Sequence, residues 1–172
     1  MRERLAGTFD LYVVAPTSNF QLLLGKYLAY VSFTLVIGGV LLTVLVAGLG
    51  VPVFGSAWRL ALALVLVALT SVGLGFALSL LATSERQAVQ FSMLALLAIV
   101  FFSGFALPLD ALQQPALSLS YALPATYGVV LFQDVMLRGL PGSNLFLLVL
   151  AGGALALFVA CLLLLHWRTR PA

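Results

Sequence analysis

The stretch LALALVLVALTSVGLGFALSLLA, residues 60–82, carries no Lys, Arg, Asp or Glu along its whole length. An α-helix needs about 20 mostly apolar residues to cross the roughly 30 Å hydrocarbon core of a bilayer, and this stretch meets that length. Soluble helices of such length keep a charged or polar face toward water; this one has none. Three further runs read the same way, Tyr27–Val51, Ala88–Leu107 and Leu145–Trp167. The expected fold class is therefore an all-α integral membrane protein with four transmembrane helices.

Composition supports that reading. Apolar residues make up 63% of the 172 residues and charged residues 8%, against about 25% charged in soluble domains. One four-span bundle uses nearly the whole length, which leaves no room for a separate soluble catalytic or nucleotide-binding domain. The net charge of +3 comes from basic residues scattered along the chain, so nucleic-acid binding is not expected. Cys161 lies within the last run and reads as a small apolar residue of the bundle; a reactive thiol is the alternative. The first twenty residues hold Arg2, Glu3, Arg4, Asp10 and Pro16, without the apolar core of a signal peptide.

Basic residues in short loops stay on the cytoplasmic side. With the N-terminus inside, Arg2, Arg4, Lys26, Arg86, Arg168 and Arg170 are cytoplasmic, and only Arg59 and Arg138 face out. The reverse orientation exchanges the two groups. The first is preferred, and four spans then return the C-terminus to the cytoplasm. Localisation in the cell membrane, with both termini cytoplasmic, follows.

Residues 1–19 precede the spans. Thr8 is placed to cap a helix, Asp10 suits its first turn, and Pro16 ends it. The product is a helix of about two turns at the cytoplasmic surface, with Phe9, Tyr12 and Val13 on one side; a frayed tail is the alternative. Residues 20–172 form the transmembrane domain, with spans at about 20–51, 58–82, 85–107 and 143–167. Ser18 and Gln21, and again Ser84 and Gln87, have the spacing of a capping box at a helix start. Lys26 can extend its ammonium back to the interface. Small residues four apart, Ser71 and Gly75 in the second span and Gly152 and Ala156 in the last, predict faces for close helix packing; the high frequency of Gly in membrane helices is the plainer explanation. His166 reads as an interfacial residue.

Residues 108–140 differ from the rest. Pro108, Pro115 and Pro124 punctuate them, and Asp110, Gln113, Gln114, Gln133, Asp134 and Arg138 add polarity, yet the intervening residues are apolar and aromatic. Proline favours helix starts and disrupts interiors, which predicts two short helices at about 109–121 and 125–138. Asp134 and Arg138, four apart, are placed to pair. Irregular backbone at membrane depth is tolerated only against protein or water, so the segment is expected to be an outer re-entrant hairpin packed on the bundle. A fifth full span over 116–137 is the competing reading.

Catalytic and ligand-binding signatures are missing. No phosphate-binding Gly-rich loop with its Lys is present. One His and one Cys do not make a recognisable metal site. No charged residue sits at the centre of a clear span, where ion relays place one. The chain is expected to be no enzyme, and composition does not choose between transport and a scaffold role.

Three stretches nevertheless resemble the membrane subunit of type-2 ABC transporters, the exporter-type permeases. The first is Arg2-Glu3-Arg4, Gly7-Thr8-Phe9-Asp10-Leu11, Ala15-Pro16-Thr17-Ser18 and Leu24-Gly25-Lys26. The second is Ser103-Gly104-Phe105-Ala106-Leu107-Pro108-Leu109-Asp110. The third is Ser120-Tyr121-Ala122-Leu123-Pro124-Ala125-Thr126-Tyr127. Each is degenerate alone; together they stand in the family's order and topological places and cover almost the whole chain.

The resemblance implies that residues 1–19 are a coupling-helix segment docking on a separate ABC ATPase subunit, with Arg2, Arg4, Thr8, Phe9, Asp10, Tyr12 and Lys26 at the contact. It implies an outer gate carried by Pro108, Asp110, Tyr121, Pro124, Tyr127 and Asp134. No cofactor is implied in this chain, ATP and Mg being used by the partner ATPase. Implied partners are that ATPase, a second permease subunit as homo- or heterodimer, and membrane lipid. Such permeases have two spans before the coupling helix, whereas Met1 stands almost at it here. The chain is thus expected to be a C-terminal portion, an incomplete gene product or a split subunit whose first spans come from another chain. A non-transporting four-span scaffold or assembly factor is the alternative function.

Overall fold

A computed structural model of the chain describes residues 19–169. The expected helix near Thr8–Val14, the Ser18 cap and Arg170 lie outside the described residues. Among the described residues there is no strand, and four helices are long and apolar enough to cross a bilayer. The chain is an all-α integral membrane protein.

Helix α1, Asn19–Thr43, passes into a π-helical turn at Val44–Gly48. Gly50, at φ +68°, ends it. Helix α2 covers Ala57–Leu81, and its 25 residues extend about 38 Å at 1.5 Å per residue. Helix α3 covers Glu85–Phe102, 18 residues or about 27 Å. It starts where the capping spacing placed it, with the Gln87 N–H donating to Ser84 Oγ at 3.2 Å. The Gln87 side chain, however, reaches past Ser84: its Oε1 accepts from the Thr83 N–H and hydroxyl, both at 2.7 Å. α3 stops at Phe102, short of the expected Leu107, because Gly104 takes φ +86° and turns the chain out of the helical path.

The segment after α3 forms two short helices rather than a fifth span. A 3-10 turn at Leu109–Ala111 follows Pro108. Helix α4, Ala116–Ala122, and helix α5, Pro124–Met136, are separated at Leu123. The first expected helix, 109–121, is split because Pro115 lacks an N–H and cannot sit in a helix interior; it becomes the residue before α4 instead. Pro124 opens α5, where a missing N–H costs nothing. Helix α6, Asn144–Thr169, returns across the bundle.

α2 is the central helix, and buried clusters follow it from end to end. Near its start, Leu60 packs with Val135 and Met136 of α5. In the middle, Ala63 meets Leu131 of α5 and Leu150 of α6. Toward its end, Ala77 joins Leu23 of α1 with Cys161 and Leu165 of α6. Cys161 is fully buried as a bundle residue, its thiol 3.6 Å from the Gly73 carbonyl. Tyr27 of α1 stacks on Phe76 at 5.9 Å, meets Phe158 edge-on at 5.2 Å, and donates its hydroxyl to the Leu69 carbonyl. Lipid tails are as apolar as these side chains, so such dispersion and hydrogen-bond contacts hold the helices together in place of a hydrophobic driving force. None of α3 is buried.

Candidate functional site

Two features stand out: a groove along α2 and a hairpin held against it. The groove lies on the half of α2 nearer the Thr83–Ser84 turn. One part, about 300 Å³, is lined by Tyr30, Thr34, Val72, Gly75, Phe76 and Ser79. The other, about 400 Å³, lies between α2 and α3 and is lined by Ser79, Ala88, Val89, Ser92, Met93 and Leu96. Ser79 borders both, so the depression crosses α2 from α1 to α3. Thr34 and Ser92 satisfy their hydroxyls within their own helices, on Tyr30 O at 2.8 Å and Ala88 O at 2.9 Å. They can therefore face lipid or a passing molecule without leaving an unpaired donor.

Ser71 and Gly75 lie exposed on this side of α2, and a Cβ on Gly75 would meet nothing within 4 Å. Gly152 and Ala156 are likewise exposed on α6. The packing expected of these four falls to neighbours. A Cβ on Gly73 would stand 3.1 Å from Leu157 Cβ and 3.2 Å from the Tyr27 hydroxyl, and one on Gly128 would stand 2.6 Å from Val67 Cγ2. Gly75 and Gly152 have nothing within 4 Å.

The hairpin runs to mid-depth and back. α5 lies antiparallel to the first half of α2: Val135 meets Gly55, Leu131 meets Ala63, and Gly128 meets Val67. At its other end, Pro124 and Ala125 border Thr70 and Ser71. Thr70 is about 20 Å along α2 from Ala57, so the Leu123-Pro124 tip sits near the middle of the spans.

Such depth requires the backbone to satisfy itself, since the last carbonyls of α4 have no partner within that helix. The side chains that follow supply partners. Thr126, 1% exposed, donates its hydroxyl to Ser120 O, and Tyr127 donates to Tyr121 O at 2.8 Å. Leu123 N–H also reaches Ser120 O at 3.1 Å, and the Ser120 hydroxyl returns to Ala116 O at 3.1 Å. Pro124 brings no N–H to the tip. Sequence reasoning selected Tyr121, Pro124 and Tyr127 as gate residues; Ser120 and Thr126 stood in the same stretch but were given no role. Two hydroxyls flanking a proline in an apolar run were the signal.

The other end of the hairpin is clamped to α2. The Gly55 N–H donates to Val135 O at 2.9 Å and the Phe54 N–H to Met136 O at 3.2 Å. Arg59 donates to Pro141 O, to Gly142 O at 3.3 Å and to Asn144 Oδ1 at 3.2 Å. Asp134 pairs with Arg138 at 2.9 Å, as their spacing predicts. Pro108 and Asp110 lie beyond the end of α3, and Asp110 and Arg138 border a cavity near this same end. The structure thus gathers Tyr121, Pro124 and Tyr127 at the tip, with Asp110 and Asp134 toward the opposite end. Lys26 is half-buried on α1. Arg2, Arg4, Thr8, Phe9, Asp10 and Tyr12 lie outside the described residues.

A family model described as ABC-2 type transporter matches residues 1–137. Among curated proteins, the inner membrane transport permease YhhJ of Escherichia coli is 32% identical over 142 residues, 81% of this chain and 37% of that protein. The probable multidrug ABC transporter permease YbhS of Escherichia coli is 28% identical over 139 residues, covering 80% of this chain and 37% of its own length. ABC transporter G family member 20 of Dictyostelium discoideum is 27% identical over 139 residues, 81% of this chain and 19% of that protein. The chain spans well under half the length of these relatives. No solved structure matches it.

Proposed function

The chain belongs to the ABC-2 type transporter family, and from that membership we propose that it forms the membrane path of an ATP-driven exporter. The observation that most supports this reading is the groove crossing α2 at Ser79. Its wall mixes the hydroxyls of Thr34, Ser79 and Ser92 with Val72, Phe76, Met93 and Leu96. A path of this chemistry suits amphipathic cargo better than a bare ion, for which a ring of charge or carbonyls is needed. That one relative is named as a multidrug permease agrees with such cargo.

In this proposal residues 1–19 dock on a separate ABC ATPase through Arg2, Arg4, Thr8, Phe9, Asp10 and Tyr12, with Lys26 nearby. ATP and Mg are used there. The N- and C-termini are cytoplasmic, which puts the Thr83–Ser84 turn inside and the Arg59 end outside. A second permease subunit, or a chain that supplies further spans, covers the exposed side of α3, where Met93, Leu94 and Leu97 are all more than half exposed. The re-entrant tip closes the path from outside.

Co-purification tests the proposal. The chain is expressed with its genomic neighbours, tagged and extracted in mild detergent. An ATPase is expected to come with it and to be lost when residues 5–15 are deleted. A stable chain recovered alone, with an ATPase present in the same membranes, sinks the proposal and favours a four-span scaffold.

A further inference from the structure

The Arg59 end of the bundle holds a second cavity, well away from the groove at Ser79. Its volume is about 380 Å³, within the range of small-molecule sites. One wall is the segment after α3, with Phe105, Pro108, Leu109 and Asp110; the other is α5 and its end, with Val130, Gln133 and Arg138. The apolar wall and the polar groups thus face one space.

The charges around it are unequal. Arg138, 61% exposed, pairs at 2.9 Å with Asp134, 13% exposed, so the two charges offset each other. Arg59, the other basic residue at this end, keeps its charge but does not line the cavity; its guanidinium is held by the Pro141 and Gly142 carbonyls and Asn144 Oδ1. Among the described residues, Asp110 has no ion-pair partner. Asp110, Arg138 and the Asp134 paired with it together leave a negative balance at the cavity, beside an aromatic ring, Phe105, which is 75% exposed. An anion would meet the Asp110 carboxylate, and Arg138, whose charge Asp134 offsets, would give it little net attraction. A divalent metal needs about six oxygen ligands, and one carboxylate with one amide does not approach that. A cation with an apolar body fits all three features: carboxylate, ring face and aliphatic wall.

We infer that this cavity binds an amphipathic organic cation, with Asp110 as counter-ion, Phe105 as the aromatic contact and Gln133 as a hydrogen-bonding group. The site does not depend on the transport reading. Binding there bridges the segment after α3 to α5.

Equilibrium binding without nucleotide tests it. The full chain, with any subunits that co-purify, is placed in nanodiscs of zwitterionic lipid. Benzyltrimethylammonium is titrated in, with empty nanodiscs as the partition control. Its uncharged isostere, neopentylbenzene, has the same shape without the charge. Saturable binding of the cation is expected, about tenfold or more tighter than the isostere. Asp110→Asn should reduce it to the level of the isostere, Asp110→Glu should keep it, and Phe105→Leu should weaken it severalfold. Should Asp110→Asn fail to extract as folded protein, Asp110→Glu and Phe105→Leu decide. Equal affinity for the two probes overturns the inference. So does a cation affinity unmoved by Asp110→Asn and Phe105→Leu, or no saturable binding into the millimolar range. Each of these failures leaves the ATPase co-purification untouched.

Discussion

Gly128 is a point of close approach between α5 and α2, and an alanine there measures what that approach is worth. A Cβ on Gly128 would stand 2.6 Å from Val67 Cγ2, with Cγ1 at 3.7 Å and Cβ at 3.8 Å. Ordinary contact between carbon atoms starts near 3.5 Å, so the helices must part or Val67 must rotate by nearly an ångström. Val67 is β-branched and on a helix, where one rotamer dominates; rotation is therefore a poor escape. Overpacking of this kind costs about 1–3 kcal/mol. Helix propensity returns at most about 1 kcal/mol for Gly→Ala, and less where the unfolded state in detergent keeps its helices. A net loss of about 1–2 kcal/mol follows, or about 2–8 °C in Tm for a chain of this size. Thermal unfolding in detergent, followed by intrinsic fluorescence, reads it. The control is Gly75→Ala, where nothing lies within 4 Å and Tm should hold. The decisive variant is Gly128→Ala with Val67→Ala, which removes the opposing methyls. Its Tm should exceed the sum of the two single effects, because the clash exists only when both side chains are present. If Gly128→Ala melts with the wild type, or the pair is merely additive, the close approach of α5 to α2 is wrong.

Two further changes probe the ends of the hairpin. Thr126→Val keeps shape and deletes the hydroxyl that caps Ser120 O; because Leu123 N–H still serves that carbonyl, the expected loss is about 0.5–1 kcal/mol, and a larger fall in Tm would mean the tip is held otherwise. Arg59→Met keeps much of the side-chain length but drops its bonds to Pro141, Gly142 and Asn144; these are partly solvent-exposed, so about 1 kcal/mol is expected, together with faster amide exchange across 138–144, and unchanged exchange there would count against the clamp.

The spans were legible because lipid permits no charged stripe, so length and the absence of charge suffice to find them. The start of α3 was legible from Ser84, whose hydroxyl accepts from the Gln87 N–H, although the Gln87 side chain bonds Thr83 rather than closing the box on Ser84. Which way each span faces was not legible, and α2 shows why. Ser71, Gly73, Gly75, Ala77 and Ser79 place a small residue at every second position. Spacing by four therefore matches two sets, Ser71–Gly75–Ser79 and Gly73–Ala77, which point about 200° apart on the helix. In a soluble helix a charged face would break the tie; here no charge exists to do so. The tie is broken by volume on other helices. Tyr27 and Leu157 fill the space over Gly73, and their positions 46 residues before and 84 residues after it in the chain leave no local trace. The same accident hid the groove. Once Gly73 and Ala77 take the packing face, Ser71, Gly75 and Ser79 must lie on the other, and two of these three border the cavity between α1 and α2. Gly75 and Ser79, first read as contacts between helices, are then residues that line the groove between them.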